Sequence, residues 1–320
     1  MNILLAGSWD DAERDAWAQA LQQALDEAGD APLAPRLCLS REAVPAHDFD
    51  AAIVANPPPG SLAGLPRLRL IQSLWAGVDR LLADPTLPAD VPVARMVDPQ
   101  MNAAMAETAL WAVLALHRGF FGNAQRQRQA LWWQQPQRRA QELPVLILGC
   151  GQMGRGAAQR LVQQGYPVTA WSRAAPAAAE PGVIHVHGDA ALWAAAARAQ
   201  VLINLLPLTP ATHGVLGAPL FAALPRGAAI VNLARGAHLV EADLLTALAS
   251  GQIGHAVLDV FATEPLPAAH PFWSHPQIEV LPHVAALSDL RSAAAVAAAN
   301  IVALQRGAPL AHLVGRERGY

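Results

Sequence analysis

The feature that most constrains this chain is the run Val145-Leu146-Ile147-Leu148-Gly149-Cys150-Gly151-Gln152-Met153-Gly154. An apolar strand breaks into spaced glycines and continues as a helix over residues 152–164. Gly149 permits a tight turn, Gly151 lets a pyrophosphate approach the backbone, and Gly154 lets the helix pack closely on the sheet. The helix N-terminus offers N–H groups and a positive dipole end to phosphates, with Gln152 and Met153 in its first turn. A glycine turn of an unrelated α/β fold is the competing reading, and the strand-to-helix setting argues against it.

The rest of the chain alternates in the same way. Strands are expected at 3–6, 36–39, 51–55, 68–74 and 91–96, then at 145–148, 168–171, 201–205, 229–233, 256–260 and 278–281. Helices are expected after Asp10 or Asp11, where Trp17, Leu21 and Leu25 recur every four residues, and over 102–120, 152–164, 241–250 and 288–306. Such alternation implies an α/β fold with parallel sheets covered on both faces. Residues 122–141, rich in Gln and Arg with Trp132-Trp133, read as an exposed connection or a partner-contacting arm. Residues 174–179 read as a low-complexity loop.

Composition narrows the chemistry. All 22 basic residues are arginine. The absence of lysine removes Schiff-base catalysis, lysine-bound pyridoxal phosphate and the P-loop lysine. The two cysteines, Cys38 and Cys150, form no CxxC pair and no cluster with histidine in the sequence, so neither a disulfide framework, a structural zinc site nor any other metal is expected. A net charge of -3 gives no bulk attraction to nucleic acid or to an anionic membrane. No apolar run reaches the length of a membrane span, and residues 1–7 read as a first strand and not as a signal peptide. The expected compartment is the cytoplasm.

The strand after the glycine helix ends Thr169-Ala170-Trp171-Ser172-Arg173. An NAD-preferring protein places a carboxylate there for the ribose 2′-hydroxyl. Here Ser172 can donate and Arg173 carries a permanent charge, so NADP(H) is expected in preference, with NAD(H) possible. A solvated loop role for Arg173 is the alternative.

Three further segments hold ionisable residues at strand ends: Asn232-Leu233-Ala234-Arg235-Gly236, Leu258-Asp259 with Phe261-Ala262-Thr263-Glu264-Pro265, and Leu281-Pro282-His283-Val284. Ligands of open α/β sheets bind outside the carboxyl ends of strands, so the three point to one edge.

With these segments the sequence resembles the D-isomer-specific 2-hydroxyacid dehydrogenases, and among them is similar to the bacterial glyoxylate/hydroxypyruvate reductases of the A type. The resemblance also takes in Ser73-Leu74-Trp75-Ala76-Gly77-Val78-Asp79, Asn204-Leu205-Leu206-Pro207 and Arg318-Gly319-Tyr320. It implies two doubly wound domains, a Rossmann cofactor domain (100–284) inserted in a flavodoxin-like substrate domain (1–99 plus 285–320), with a cleft between them. It further implies reduction of small 2-keto acids, glyoxylate to glycolate and hydroxypyruvate to D-glycerate. Arg235 would bind the substrate carboxylate and carbonyl, and the N–H groups of Ala76 and Gly77 would hold the carboxylate. His283 would donate the proton, and Glu264 would fix its ring and favour the imidazolium. Leu206, Pro207, Leu233, Ala234 and Asp259 would line the cofactor, Asp259 near the nicotinamide amide.

Some choices stay open at this stage. Trp75 either narrows the substrate pocket or packs in the core. Asn56 stands where the family often has an aromatic residue, which leaves the substrate side chain undefined. Trp132 and Trp133 would cover a neighbouring subunit or bury a contact in a homodimer. From a different class, a dinucleotide-sensing, co-repressor-like protein shares the fold, and the intact Arg235, Glu264 and His283 set argues against that as the sole activity.

Overall fold

The computed structural model describes residues 1–29, 35–175 and 179–320. The expected loop at 174–179 therefore lies partly outside the described residues, at 176–178. The chain divides into two compact units, Met1–Met101 with Ser288–Tyr320, and Asn102–Leu287.

The first unit opens with β1 (Asn2–Gly7) and α1 (Asp11–Ala28). Asp10 caps α1, its carboxylate accepting from the Glu13 N–H at 2.8 Å. Trp17, Leu21, Ala24 and Leu25 form the buried stripe of α1, as their four-residue recurrence requires. Then follow β2 (Arg36–Cys38), β3 (Phe49–Ala55), β4 (Ile71–Ser73), the short α2 (Asp79–Leu82) and β5 (Val93–Ala94). The five strands are parallel in the order β2-β1-β3-β4-β5, the flavodoxin-like arrangement. Every residue of β3 is buried, Asp50 included, which explains the apolar run over 51–55. The strands expected at 68–74 and 91–96 pair only over β4 and β5, because their outer residues serve as connections.

A long helix, α3 (Pro99–Arg118), leads into the second unit, and Gly119 at φ 68° turns the chain into α4 (Phe120–Arg128). The region expected as a connection is thus helical up to Arg128. Beyond it Trp132 is 93% exposed, while the Arg126 guanidinium lies 4.2 Å over the Trp133 ring.

The second unit continues with β6 (Val145–Leu148), α5 (Gln152–Gln163), β7 (Val168–Ser172), β8 (Val183–His187), α6 (Asp189–Ala196) and β9 (Val201–Asn204). It closes with α7 (Ala218–Ala223), β10 (Ala228–Asn232), α8 (Glu241–Ala249), β11 (Ile253–Leu258) and β12 (Ile278–Val280). The seven strands run parallel in the order β12-β11-β10-β9-β6-β7-β8. Strand order reverses between β6 and β9, the switch point where such sheets bind ligands. Side chains alternate between two cores. Leu146, Leu148, Leu202 and Ile230 face one, and Val145, Ile147, Val201 and Val231 the other. The unforeseen strand is β8, an edge strand whose Val-Ile-His-Val-His sequence lacks the fully apolar run of its neighbours.

The chain then returns to the first unit as α9 (Leu290–Arg306), capped by Asp289. Ala293, Ala294, Ala297 and Ala298 are buried, and these small side chains let α9 lie close on α1. Among the described residues no helix is long and apolar enough to cross a membrane.

One buried histidine makes acid stability testable. His255 on β11 stacks on Phe121 with ring centroids 5.0 Å apart. Burial, with a smaller push from His275, lowers its pKa from 6.5 to about 4. Glu279 Oε1, 3.5 Å away, does not form an aligned hydrogen bond with Nε2. Below pH 6.5 the unfolded chain takes up this proton and the folded one does not. Stability is therefore complete above that pH and falls as pH drops toward 4, by about 3 kcal/mol from this group. Urea unfolding of His255→Phe against pH should show a shallower slope between pH 6.5 and 4 than the wild type. An identical slope would refute this.

Candidate active site

Register places the functional segments along one line. Trp171, Leu148, Asn204, Asn232, Leu258 and Val280 pair in succession across β7, β6, β9, β10, β11 and β12. Each lies at or next to the carboxyl end of its strand. The glycine loop, Ser172-Arg173, Leu206-Pro207, Arg235, Asp259 and His283 therefore emerge from the same edge. Arg235 and His283 each follow their strand by three residues, on strands two spacings apart, a lateral separation of about 10 Å.

The glycine loop has the shape that a dinucleotide needs. Gly149 adopts φ +98°, and a Cβ there would stand 2.6 Å from the Leu205 carbonyl oxygen. A Cβ on Gly154 would fall 1.9 Å from the Gly149 oxygen, so α5 packs directly on the turn. A Cβ on Gly151 would meet nothing within 4 Å, and Gly151 caps α5 with no side-chain hydrogen bond. The space and the first-turn N–H groups fit a pyrophosphate. Gln152 and Met153 begin α5 there. Ser172 spends its hydroxyl proton on the Ala174 carbonyl at 2.7 Å, which leaves the exposed Arg173 as the cation of this strand end.

Cys150 corrects one expectation. Although no histidine is near it in sequence, its Sγ lies 3.6 Å from His185 Nδ1 and 3.8 Å from Glu180 Oε2. His185 Nε2 is 2.7 Å from Glu180 Oε2, and Arg155 Nε is 3.1 Å from Glu180 Oε1. The edge strand β8 brings His185 back beside the glycine loop. Burial and Glu180 push the Cys150 thiol above its usual pKa, so it stays protonated.

Behind Leu206, Pro207, Leu233, Ala234 and Arg235 stands a buried polar network that the sequence reading missed. Asn204 Nδ2 donates to Asn232 Oδ1 at 3.0 Å and to His238 Nδ1 at 2.9 Å. Asn232 Oδ1 also accepts from the Ala234 N–H at 3.3 Å, and Nδ2 donates to the Arg235 carbonyl at 3.0 Å. Asn204 Oδ1 accepts from the Leu206 N–H at 3.3 Å, and His238 Nε2 donates to the Pro207 carbonyl at 3.3 Å. These groups hold the ends of β9 and β10 in fixed positions, since a buried amide left unpaired is costly. The available signal was the repeated pattern Ile203-Asn204-Leu205 and Val231-Asn232-Leu233 at two strand ends.

Asp259 anchors the next loop. Its carboxylate accepts from the N–H groups of Val284 at 2.7 Å and Ala285 at 3.1 Å, and its carbonyl accepts from the His283 N–H at 2.9 Å. Burial raises its pKa against the opposing pull of those N–H bonds. Thus clamped, His283 sits at φ +56°, a conformation unusual for a residue other than glycine. Its Nδ1 lies 2.7 Å from Glu264 Oε2, and Glu264 Oε1 accepts from the Phe261 N–H at 2.9 Å. The imidazole side chain is 52% exposed, so its other nitrogen is open to a ligand. Arg235 is half-buried, and its Nη1 donates to the Ala234 carbonyl at 2.7 Å. Gly236 lies against the backbone of Phe261 and Ala262, which joins the Arg235 segment to the Glu264 loop.

In the first unit, Trp75 meets Trp17 edge-on at 6.0 Å, which places it against α1. Among the described residues the N–H groups of Ala76 and Gly77 donate to no protein acceptor. Asn56 takes φ 44° at the turn after β3.

A sequence model described as D-isomer specific 2-hydroxyacid dehydrogenase, NAD binding domain, matches residues 110–285. The glyoxylate/hydroxypyruvate reductase A of Serratia proteamaculans is 44% identical over 276 residues, covering 85% of this chain and 88% of that protein. A D-isomer specific 2-hydroxyacid dehydrogenase from Xanthobacter autotrophicus Py2, solved with NADPH and MES, superposes with a TM-score of 0.91 at 37% identity over 100% of this chain and 99% of that one. An NADPH-dependent glyoxylate/hydroxypyruvate reductase from Sinorhizobium meliloti, solved with NADP and sulfate, gives 0.86 at 33% identity over 100% and 99%.

Proposed function

This chain belongs to the D-isomer-specific 2-hydroxyacid dehydrogenases, and from that premise we propose that it is an NADPH-dependent reductase of small 2-keto acids, converting glyoxylate to glycolate and hydroxypyruvate to D-glycerate. The observation that carries this reading is the 2.7 Å pairing of His283 Nδ1 with Glu264 Oε2, at the strand edge that also bears Arg235. The unit 102–287 is the cofactor unit, and the unit holding residues 1–101 and 288–320 is the substrate unit.

When bound, the nicotinamide supplies the hydride. Arg235 presents a planar fork of donors suited to the carboxylate and carbonyl oxygens of a 2-keto acid. The N–H groups of Ala76 and Gly77, which donate to no protein acceptor among the described residues, suit a carboxylate as well. As charge grows on the carbonyl oxygen, His283 Nε2 donates its proton to it, and in the reverse direction takes it back. Glu264 accepts from Nδ1–H, which fixes the ring and the tautomer. Asp259 holds the His283 backbone. Gly149, Gly151, Gln152, Met153 and Gly154 cradle the pyrophosphate, and Arg173 meets the 2′-phosphate.

Apolar side chains exposed around α3 and α4, among them Trp111 and Phe120, together with Trp132 and Trp133, support a homodimer. Two free cysteines suit a cytoplasmic protein.

The test is a panel of 2-keto acids with NADPH and with NADH. The expected result is turnover of glyoxylate and hydroxypyruvate with a lower KM for NADPH. Arg173→Ala should raise that KM about tenfold or more and change the KM for NADH much less. Equal effects on both cofactors would remove Arg173 from the 2′-phosphate site. Tight NADPH binding without turnover of any 2-keto acid would favour a dinucleotide sensor.

A further inference from the structure

Beside the phosphate-binding turn lies a group of side chains that the reductase chemistry leaves unused. Cys150 follows β6, between Gly149 and Gly151; His185 is the middle residue of the edge strand β8, and Glu180 precedes that strand. All three belong to the unit 102–287. Strand pairing draws them together. Ala170 on β7 pairs with Ile147 on one side and with His185 on the other, so His185 lies two strands across from a residue just before the turn. Among the described residues this is the one group of three histidine, cysteine or acidic side chains whose ligand atoms all lie within 4.8 Å of one another.

Cys150 Sγ is 3.6 Å from His185 Nδ1 and 3.8 Å from Glu180 Oε2. Neighbouring ligands around a tetrahedral zinc ion, with bonds of about 2.0–2.3 Å, stand about 3.3–3.8 Å apart, so the sulfur is already at ligand spacing from both partners. His185 Nε2 lies 2.7 Å from the same Oε2 and 3.2 Å from the Glu180 backbone nitrogen, which keeps the imidazole against the carboxylate. The Glu180 and His185 side chains are each only 9% exposed, so most of their desolvation is already met by folding. Binding replaces the Cys150 thiol proton, which passes to solvent, and the thiolate and carboxylate charges then match a dication. Arg155 Nε is 3.1 Å from the other oxygen, Oε1, and leaves Oε2 to the ion. A thiolate, an imidazole and a carboxylate select zinc over magnesium or calcium, which take oxygen ligands.

We propose that Cys150, Glu180 and one ring nitrogen of His185 form a binding site for a thiophilic divalent cation, Zn2+ by its ligand set, with water as the fourth ligand. The ion ties the phosphate-binding turn to the edge strand β8, because its ligands come from both. The inference is independent of the reductase reading, since none of the three residues binds the keto acid or moves its proton.

The experiment titrates the full chain, stripped of metal by a chelator, with Zn2+ by calorimetry and with Co2+ by absorption spectroscopy. The wild type should bind Zn2+ at a stoichiometry of one, melt later with Zn2+ than without, and show a thiolate-to-cobalt charge-transfer band in the near ultraviolet. Cys150→Ser should abolish that band and weaken Zn2+ about a hundredfold or more, since even outer-shell partners of a metal cost about 10- to 100-fold. His185→Gln should keep the band and weaken Zn2+ similarly. Melting without metal checks that each variant is folded. Should Cys150→Ser fail to fold, the wild-type band together with the lost affinity of His185→Gln decides the matter. No band in the wild type overturns the proposal. So does a band that survives Cys150→Ser, which would belong to Cys38, and so does equal Zn2+ affinity in the wild type and both variants, which would place the ion on other histidines.

Discussion

Replacing His283 with alanine should lower kcat/KM for glyoxylate reduction by about 10²- to 10⁴-fold, the usual contribution of a positioned general acid. The expectation follows from the clamp around this residue. Its backbone N–H is held by the Asp259 carbonyl at 2.9 Å, and its Nδ1 by Glu264 at 2.7 Å. Only the far side of the ring is open, and the proton must leave from there. The imidazole is half exposed and fills no core, so its removal should not disturb folding. Affinity for NADPH should also hold, because the glycine loop lies on β6 and α5, several strands away. Steady-state kinetics with a parallel fluorescence titration of NADPH separate these quantities. Activity within about threefold of wild type would mean that the proton comes from another group.

Alanine at Gly236 should be nearly as damaging, although the side chain it adds is a single methyl group. The new Cβ would stand 1.9 Å from the Phe261 carbonyl carbon and 2.3 Å from the Ala262 nitrogen. Both contacts are to backbone, so no rotamer change relieves them, and the two segments must separate. Overpacking of this kind costs about 1–3 kcal/mol, and here the obstacle is rigid. The separation carries Arg235 away from Glu264, whose Oε1 is held by the Phe261 N–H at 2.9 Å. Displacing a substrate-binding group by about 1 Å costs on the order of a hundredfold in rate. The variant should therefore melt earlier and lose activity on glyoxylate, as thermal unfolding and kcat/KM would show. Unchanged melting and unchanged rate would mean that these segments are not in contact.

Both predictions concern residues already visible in the linear sequence, and their legibility has a local cause. The Gly149-Cys150-Gly151-Gln152-Met153-Gly154 run demands a particular turn wherever it occurs, because each glycine answers a steric need within a few residues. The four-residue recurrence of Trp17, Leu21 and Leu25 marks α1 for a similar reason. Elements with weaker local signals were less readable. The strand β8 is half polar because it lies at a sheet edge, and α4 is polar enough to pass for a connection. Asn204, Asn232 and His238 carry no individual signal, since a buried amide differs from a surface one only in its partners. Cys150, Glu180 and His185 looked unrelated because 30 and 35 positions separate the last two from the first.

The sequence by itself determined the alternation of strands and helices, the phosphate-binding turn and the residue types able to bind a keto acid and move its proton. These depend on backbone sterics and side-chain chemistry, which act over a few residues and are the same in any chain. Tertiary structure alone decided the geometry of the site: the clamp of Asp259 on His283, the contact of Gly236 with Phe261, and the network of Asn204, Asn232 and His238 behind Arg235. Those facts depend on which distant segments share a sheet edge, and parallel pairing with close packing sets that only once the whole fold has formed.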